Sequence, residues 1–167
     1  MINNNNKIQE LIDRQEIYDV LIRYCQGVDR CDVELIKSVY HNDAQDDHGM
    51  FKGSGLDFAE WIVDWERKNI NMCQHVIGNF SCDLQGDVAY CETYCISFSA
   101  DKLGNNATVY NRYIDRFEKR NNYWKIADRL VVLDLTRTDD SSEPFGDVPG
   151  WNFTWGSRDK EDPLYRR

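Results

Sequence analysis

A chain of 167 residues that is 41% hydrophobic and 13% aromatic is long enough for one domain with a sizeable core and too apolar for a disordered polymer. Its net charge of −9 argues against nucleic acid and anionic membrane surfaces as partners, because both attract basic patches. No charged-then-apolar leader opens the sequence, and no run approaches the ~20 apolar residues of a membrane helix, so the expected compartment is the cytoplasm.

From Lys7 to Gln26 the apolar residues fall at Ile8, Leu11, Ile12, Tyr18, Leu21, Ile22 and Cys25. That spacing predicts a helix with one apolar stripe, and Gly27 is a natural stop. Asp32 is placed to cap a second, short helix from Val33 to Tyr40, with Leu35, Ile36 and Val39 inward. Asp43-Ala44-Gln45-Asp46-Asp47-His48-Gly49 reads as a short strand or turn with an acidic surface. Asp57-Phe58-Ala59-Glu60 reads as a capping box for a third helix to about Lys68, with the stripe Phe58, Trp61, Ile62 and Trp65.

Four long runs rich in β-branched and aromatic residues follow, at about 72–84, 88–100, 107–119 and 123–136. The short breaks between them carry turn formers, so the runs should pair as antiparallel hairpins. Strands this long must twist and curl. The expected fold is α+β: a cone-shaped, curled antiparallel sheet with the N-terminal helices packed on its concave face. Residues 1–167 read as a single domain, with its core at about 7–136. The tail 137–167, rich in Gly, Pro, Asp and Trp, should be irregular and fold over the domain or onto a neighbouring subunit.

Cysteines stand at 25, 31, 73, 82, 91 and 95, with no Cys-x-x-Cys pair. In a reducing compartment they are expected to be free thiols acting as small hydrophobes. His41, His48, Asp43, Asp46 and Asp47 match no metal-ligand spacing, and no metal or cofactor is expected.

Two polar residues stand out. Asp29 closes the first helical segment and His75 opens the first long strand. A carboxylate that orients a histidine yields a general base near neutral pH; a satisfied structural pair is the plainer alternative. Strict strand alternation sets His75 on the same face as Ile77, Asn79 and Ser81, opposite Phe80, Cys82 and Leu84. The histidine then faces the core only if a bulge, for which Gly78 is the natural place, shifts the register.

The helices followed by a meander ending in Arg112-Tyr113-x-Asp115-x-Phe117-Glu118 and Trp124-Lys125-Ile126-Ala127 resemble the SnoaL-like branch of the nuclear-transport-factor-two-like superfamily, over about residues 7–136. Gln74-His75-x-Ile77-Gly78 resembles the catalytic-histidine segment of scytalone dehydratase. Val28-Asp29, placed after Tyr24, resembles the aspartate segment shared by that enzyme, hexachlorocyclohexane dehydrochlorinase and bile-acid 7α-dehydratase. The resemblance implies an Asp–His dyad that removes a proton while a leaving group departs from the neighbouring carbon. His75 takes the role of base, Asp29 that of its orienting partner and Tyr24 an acid–base role, and His48 lies where scytalone dehydratase places a water-holding tyrosine. That enzyme's second histidine falls near Phe98 here and its second tyrosine at Val28, so the substrate should differ. Asn79, Tyr113 and Arg129 are candidate donors to the substrate, with pairing to Asp115 or Asp134 across the sheet as the alternative for Arg129. Trp61, Phe58, Trp65 and Tyr94 are expected to line the core, some of them, Trp61 first, also walling an apolar pocket.

The resulting expectation is a cofactor-independent lyase, a dehydratase or related enzyme, acting on a small apolar cyclic or aromatic molecule. Isomerisation or carbon–carbon cleavage would use the same proton transfer. The alternative is a non-catalytic ligand-binding or assembly subunit, such as the small subunit of a ring-hydroxylating dioxygenase. The aromatic tail residues Trp151, Phe153 and Trp155 and the relatives' trimeric assembly imply a homo-oligomer, a trimer or else a dimer.

Overall fold

The computed structural model describes residues 4–140 and 154–165. Helix α1 spans Asn4–Asp29 and α2 spans Val33–Ser38. Strands β1 (Tyr40–Asp47) and β2 (Lys52–Ser54) precede α3 (Gly55–Asn69). The meander then runs through β3 (Ile70–Gln85), β4 (Val88–Asp101), β5 (Asn105–Arg120) and β6 (Tyr123–Asp140), and a single 3-10 turn covers Pro163–Tyr165.

The six strands form one sheet in the order β2-β1-β6-β5-β4-β3. Each meander pair is antiparallel, as the hairpin breaks predict. Gly86-Asp87 and Asn121-Asn122 each join strands through two residues, with φ of +64° at Gly86 and +53° and +66° at the asparagines. Positive φ in both loop residues of the second hairpin matches the twist of the flanking strands. The sheet is mixed rather than antiparallel throughout, because β1 runs parallel to β6, with Asp46 opposite Arg129. Of the two readings of this stretch, short strand or turn, the strand is the one formed, and its acidic face is not all at the surface. Its inward residues Ala44 and Asp46 are buried.

Helix α1 runs through the expected stop at Gly27 to Asp29. A Cβ at Gly27 would stand 2.7 Å from Ile36 Cγ1, so the glycine serves the close approach of α2. The helix ends with Cys31 at φ 50°, with the Cys31 N–H bonded to the Val28 carbonyl and that of Asp32 to the Gly27 carbonyl. This is a Schellman-type terminus with cysteine where glycine is usual. The buried face of α1 is Ile17, Val20, Leu21, Tyr24, Cys25 and Val28, whereas Ile8, Leu11 and Ile12 of the expected stripe are exposed. The sequence period gives the face; where the sheet stops decides how much of it is covered.

Ser54, rather than Asp57, caps α3, accepting the Asp57 N–H at 3.1 Å. Gly55 follows at the first helical position, where a Cβ would stand 2.4 Å from the Tyr40 ring. Gly55→Ala must push that ring aside, and we expect it to lower stability by about 1–3 kcal/mol in urea denaturation. The core lies between the helices and the concave face of the sheet and includes Phe58, Ala59, Val63, Tyr113, Phe117, Trp124 and Ile126.

Candidate active site

The two halves of the site are brought together by a fault in one strand. Ile77 pairs with Cys95 and Phe80 with Thr93, so Gly78 and Asn79 together face the single residue Tyr94. This bulge resolves the alternation conflict. Before it, Cys73, His75 and Ile77 point inward; after it, Phe80, Cys82 and Leu84 do. A Cβ at Gly78 would meet Tyr94 at 3.4 Å, ordinary contact, and its φ is not positive, so neither space nor backbone demands glycine at the bulge.

Asp29, on the last turn of α1, meets His75 twice. Its Oδ1 accepts from the ring Nδ1–H at 2.6 Å, and its Oδ2 accepts the His75 backbone N–H at 3.1 Å. The second bond ties the carboxylate to the strand as well as to the ring. Nδ1 therefore carries the proton and Nε2 is the atom left to exchange one. The side chains are 10% and 12% exposed, and a cleft of about 210 Å³ lined by Ile22, Cys25, Gln26, Asp29, Arg30, His75 and Ile77 opens on the pair. Burial alone would push the imidazole down; the Asp29 carboxylate, helped by Cys73, outweighs it and holds His75 well above 6.5.

Asp29, Cys73 and His75 also form the kind of group that can hold a metal ion. The 2.6 Å between Asp29 Oδ1 and His75 Nδ1 is a hydrogen-bond distance. Two ligands of one tetrahedral ion, each about 2.0 Å from it, stand more than ~3 Å apart. The arrangement fits a shared proton better than a metal.

A second Asp–His pair is formed where His48 follows strand β1. The Tyr24 hydroxyl is 2.9 Å from His48 Nε2, and His48 Nδ1 bonds Asp46. The other oxygen of Asp46 accepts the Tyr40 hydroxyl at 2.6 Å, so this fully buried carboxylate is saturated. His48 lies face to face on Phe58 at 4.1 Å. Burial pushes His48 down, against the pull of Asp46. The neutral ring then donates from Nδ1 to Asp46, and its bare Nε2 accepts the Tyr24 O–H.

Arg129 sits over Tyr24 and Tyr113, 4.2 Å from each ring. Its Nε and Nη2 grip Asp115 at 2.7 and 2.8 Å, the bidentate geometry of an ion pair. Its Nη1 is buried with no partner among the described residues, as are Thr93 Oγ1 and Asn111 Oδ1. Thr93 and Asn111 lie opposite Tyr113 and Cys95 on the concave face. Buried polar atoms are normally paired, so these three stand out as unsatisfied donors and acceptors among the described residues.

Of the residues singled out from sequence, the structure gathers Asp29 with His75, and Tyr24 with His48, Tyr113 and Arg129. It does not bring Asn79 or Trp61 to either group. Asn79 is exposed on the bulge, and Trp61 is half-buried on α3 between Phe51 and Trp65. Tyr94, expected as a pocket wall, is exposed on the outer sheet face. Of the two partners the sequence offered Arg129 across the sheet, Asp115 is the one it takes; sequence reasoning missed the roles of Asp46, Thr93 and Asn111. The alternation Ala44-x-Asp46-x-His48 was the available signal for Asp46, masked by the acidic neighbours. All six cysteines are free thiols, and only Cys82 is not buried.

Three helices packed on a curled, mixed six-stranded sheet make this an α+β cone. The chain belongs to the SnoaL-like domain family, whose sequence model matches residues 9–130. No curated protein matches it in sequence. Among solved structures it is similar to a type 2 hexachlorocyclohexane dehydrochlorinase, LinA, with a TM-score of 0.76 at 17% identity over 84% of this chain and 99% of that one. A candidate scytalone dehydratase from Novosphingobium aromaticivorans gives 0.73 at 16% identity, covering 85% and 99%. A candidate aromatic ring hydroxylase from the same species gives 0.70 at 24% identity, covering 78% and 94%. At these identities the likeness establishes the fold. Among the described residues no helix is long and apolar enough to cross a membrane.

Proposed function

We propose that this protein is a cofactor-independent lyase that eliminates water or a related leaving group from a small apolar cyclic or aromatic compound. The carrying observation is the double engagement of His75 by Asp29 beside an open cleft. A carboxylate that fixes tautomer and ring orientation readies Nε2 to take a proton from a carbon next to a carbonyl. Tyr24 takes the acid–base role toward the leaving group, its O–H turning from His48 Nε2 to the departing oxygen or halide, and Arg129 Nη1 offers a positive donor to developing negative charge. The enzymes named among the structural neighbours, a dehydrochlorinase and a candidate dehydratase, support an elimination.

The test is proton exchange. The protein is incubated in heavy water with cyclic and aromatic ketones and hydroxy-ketones, and α-deuterium uptake and loss of water are followed by mass spectrometry. Uptake or elimination on at least one scaffold is the expected result; none across a broad panel would sink the reading.

The pH dependence has a definite sign. His75 acts as a base only when neutral, and its ring is held well above 6.5. The exchange rate should therefore rise with pH through a value above 6.5 and then level off. Stability runs the other way. A histidine whose folded pKa is raised contributes fully below its unfolded value, and that contribution is lost as pH rises through the folded one. A pH–rate profile beside urea titrations on both sides of this window checks the pair of trends.

A second reading has its own observation. The outer sheet face exposes Tyr90, Tyr94, Phe98, Tyr110, Ile114 and Leu130, and Tyr90, Ile114 and Leu130 help line a depression of about 520 Å³. An apolar face of this kind suits self-association, as a trimer or else a dimer, or docking on a larger partner. An assembly subunit with a silent pocket would copurify with an iron–sulfur component and show no exchange.

A further inference from the structure

Residues 154–165 lie against the end of α1. The contacts to the α1 carbonyls are made by the Arg158 side chain. Arg158 Nε donates to the carbonyl of Asp29 at 3.0 Å, Nη2 to that of Val28 at 3.0 Å and Nη1 to that of Ile70 at 3.4 Å. Nη2 also stands 3.0 Å from the Glu66 carboxylate, and the two side chains are 9% and 8% exposed. A single guanidinium thus joins the last turn of α1, the first residue of β3 and the end of α3. Those first two elements carry Asp29 and His75.

The site of attachment needs it. The last carbonyls of a helix lack intrahelical partners, and a cation is favourable at that end of the dipole. Here the terminus is closed by Cys31 at φ 50°, a backbone state that a residue other than glycine adopts reluctantly. Glu66 is buried, and burial pushes its carboxyl up while Arg158 pulls it back. The tail is further held by Lys160 on Asp32 and by Asp162 at 3.6 Å from Arg30, all on or beside the same turn. The tail lies beyond residues 9–130, the part of the chain that the family model covers.

We propose that Arg158 is a positioning residue: the tail clamps the α1 terminus through it, and this fixes the Asp29 carboxylate on His75. The role concerns the Asp29–His75 pair whatever the reaction; only its effect on turnover rests on the elimination reading.

The experiment follows the His75 imidazole by NMR pH titration in the full chain, for wild type, Arg158→Ala, Arg158→Lys and Lys160→Ala, with thermal melts in parallel. Two effects of Arg158→Ala have opposite signs. Deleting a nearby positive charge, by itself, raises the His75 pKa. Loosening Asp29 removes the carboxylate that holds it up, and lowers it towards 6.5. A fall of about one unit in Arg158→Ala, largely restored in Arg158→Lys and absent in Lys160→Ala, is the expected result. A rise or no change in a folded Arg158→Ala overturns the proposal. Should Arg158→Ala fail to fold, Arg158→Gln, which keeps two N–H donors without the charge, carries the same test. A titration shift without exchange on any ketone would leave the clamp standing and remove the lyase reading; exchange without the shift would do the reverse.

Discussion

His75→Ala should abolish α-deuterium exchange and elimination, a loss of about 10²–10⁴-fold in kcat/KM, with a lowered melting temperature. The ring is 10% exposed and lies beside the cleft, so its deletion removes the proton acceptor and also leaves the Asp29 carboxylate without its partner. Asp29→Asn should come close to the same loss for a different reason. The carboxylate accepts from both the ring and the backbone N–H of His75. A carboxamide has one acceptor oxygen for these two donors, so either the ring tautomer or the tie to the strand is lost. The telling comparison is the pH profile. In Asp29→Asn the rising limb should move down, because the ring loses the charge that holds its pKa above 6.5. Residual exchange in His75→Ala equal to wild type would place the base elsewhere, and the Tyr24–His48–Asp46 chain would be the next candidate.

The largest effect on stability is expected at Arg129. Its guanidinium and the Asp115 carboxylate are both fully buried and joined by two N–H···O bonds. Replacing Arg129 with Leu leaves that carboxylate without a counter-charge in the core and removes the cation from above Tyr24 and Tyr113. Breaking one partner of a buried ion pair costs about 3–5 kcal/mol. Chemical denaturation should show a loss of that size for Arg129→Leu. The double variant Arg129→Leu/Asp115→Leu should recover part of it, because no buried charge is then left over. A loss below ~1 kcal/mol in the single variant would mean that the pair is hydrated or already neutral, against its burial and geometry. Turnover should fall as well, since the only unpaired donor among the guanidinium nitrogens is Nη1.

Much of the architecture is legible in the chain. The expected runs at 72–84, 88–100, 107–119 and 123–136 fall inside strands Ile70–Gln85, Val88–Asp101, Asn105–Arg120 and Tyr123–Asp140. Hairpin turns are local chemistry, and the glycine and asparagines that supply positive φ can be read directly. The Asp29–His75 pair was visible for another reason: each residue sits in a segment that matches a family pattern. The expected tail residues Trp151 and Phe153 lie outside the described residues, and Trp155 is exposed.

Other features were out of reach, because they depend on which surfaces meet. Period two along β3 turns His75 away from the core until Gly78 and Asn79 share one partner residue, and pairing of that kind belongs to two strands at once. Asp46 read as part of a solvated acidic turn. It is buried because β1 lies parallel to β6, where Tyr40 and His48 use both of its oxygens. Gly27 read as a helix stop, and only the approach of Ile36 shows why the helix passes through it. Arg158 carried no signal in an irregular tail, yet it closes the helix that holds Asp29. The sequence by itself determined the helices, the long strands and their turns, since each rests on near-neighbour spacing, while Asp29 and His75 were marked by the family pattern of their segments. Only the tertiary structure decided the register, the second Asp–His pair and the contacts of Arg158, because a buried charge is tolerable only where residues distant in the chain arrive to pair with it.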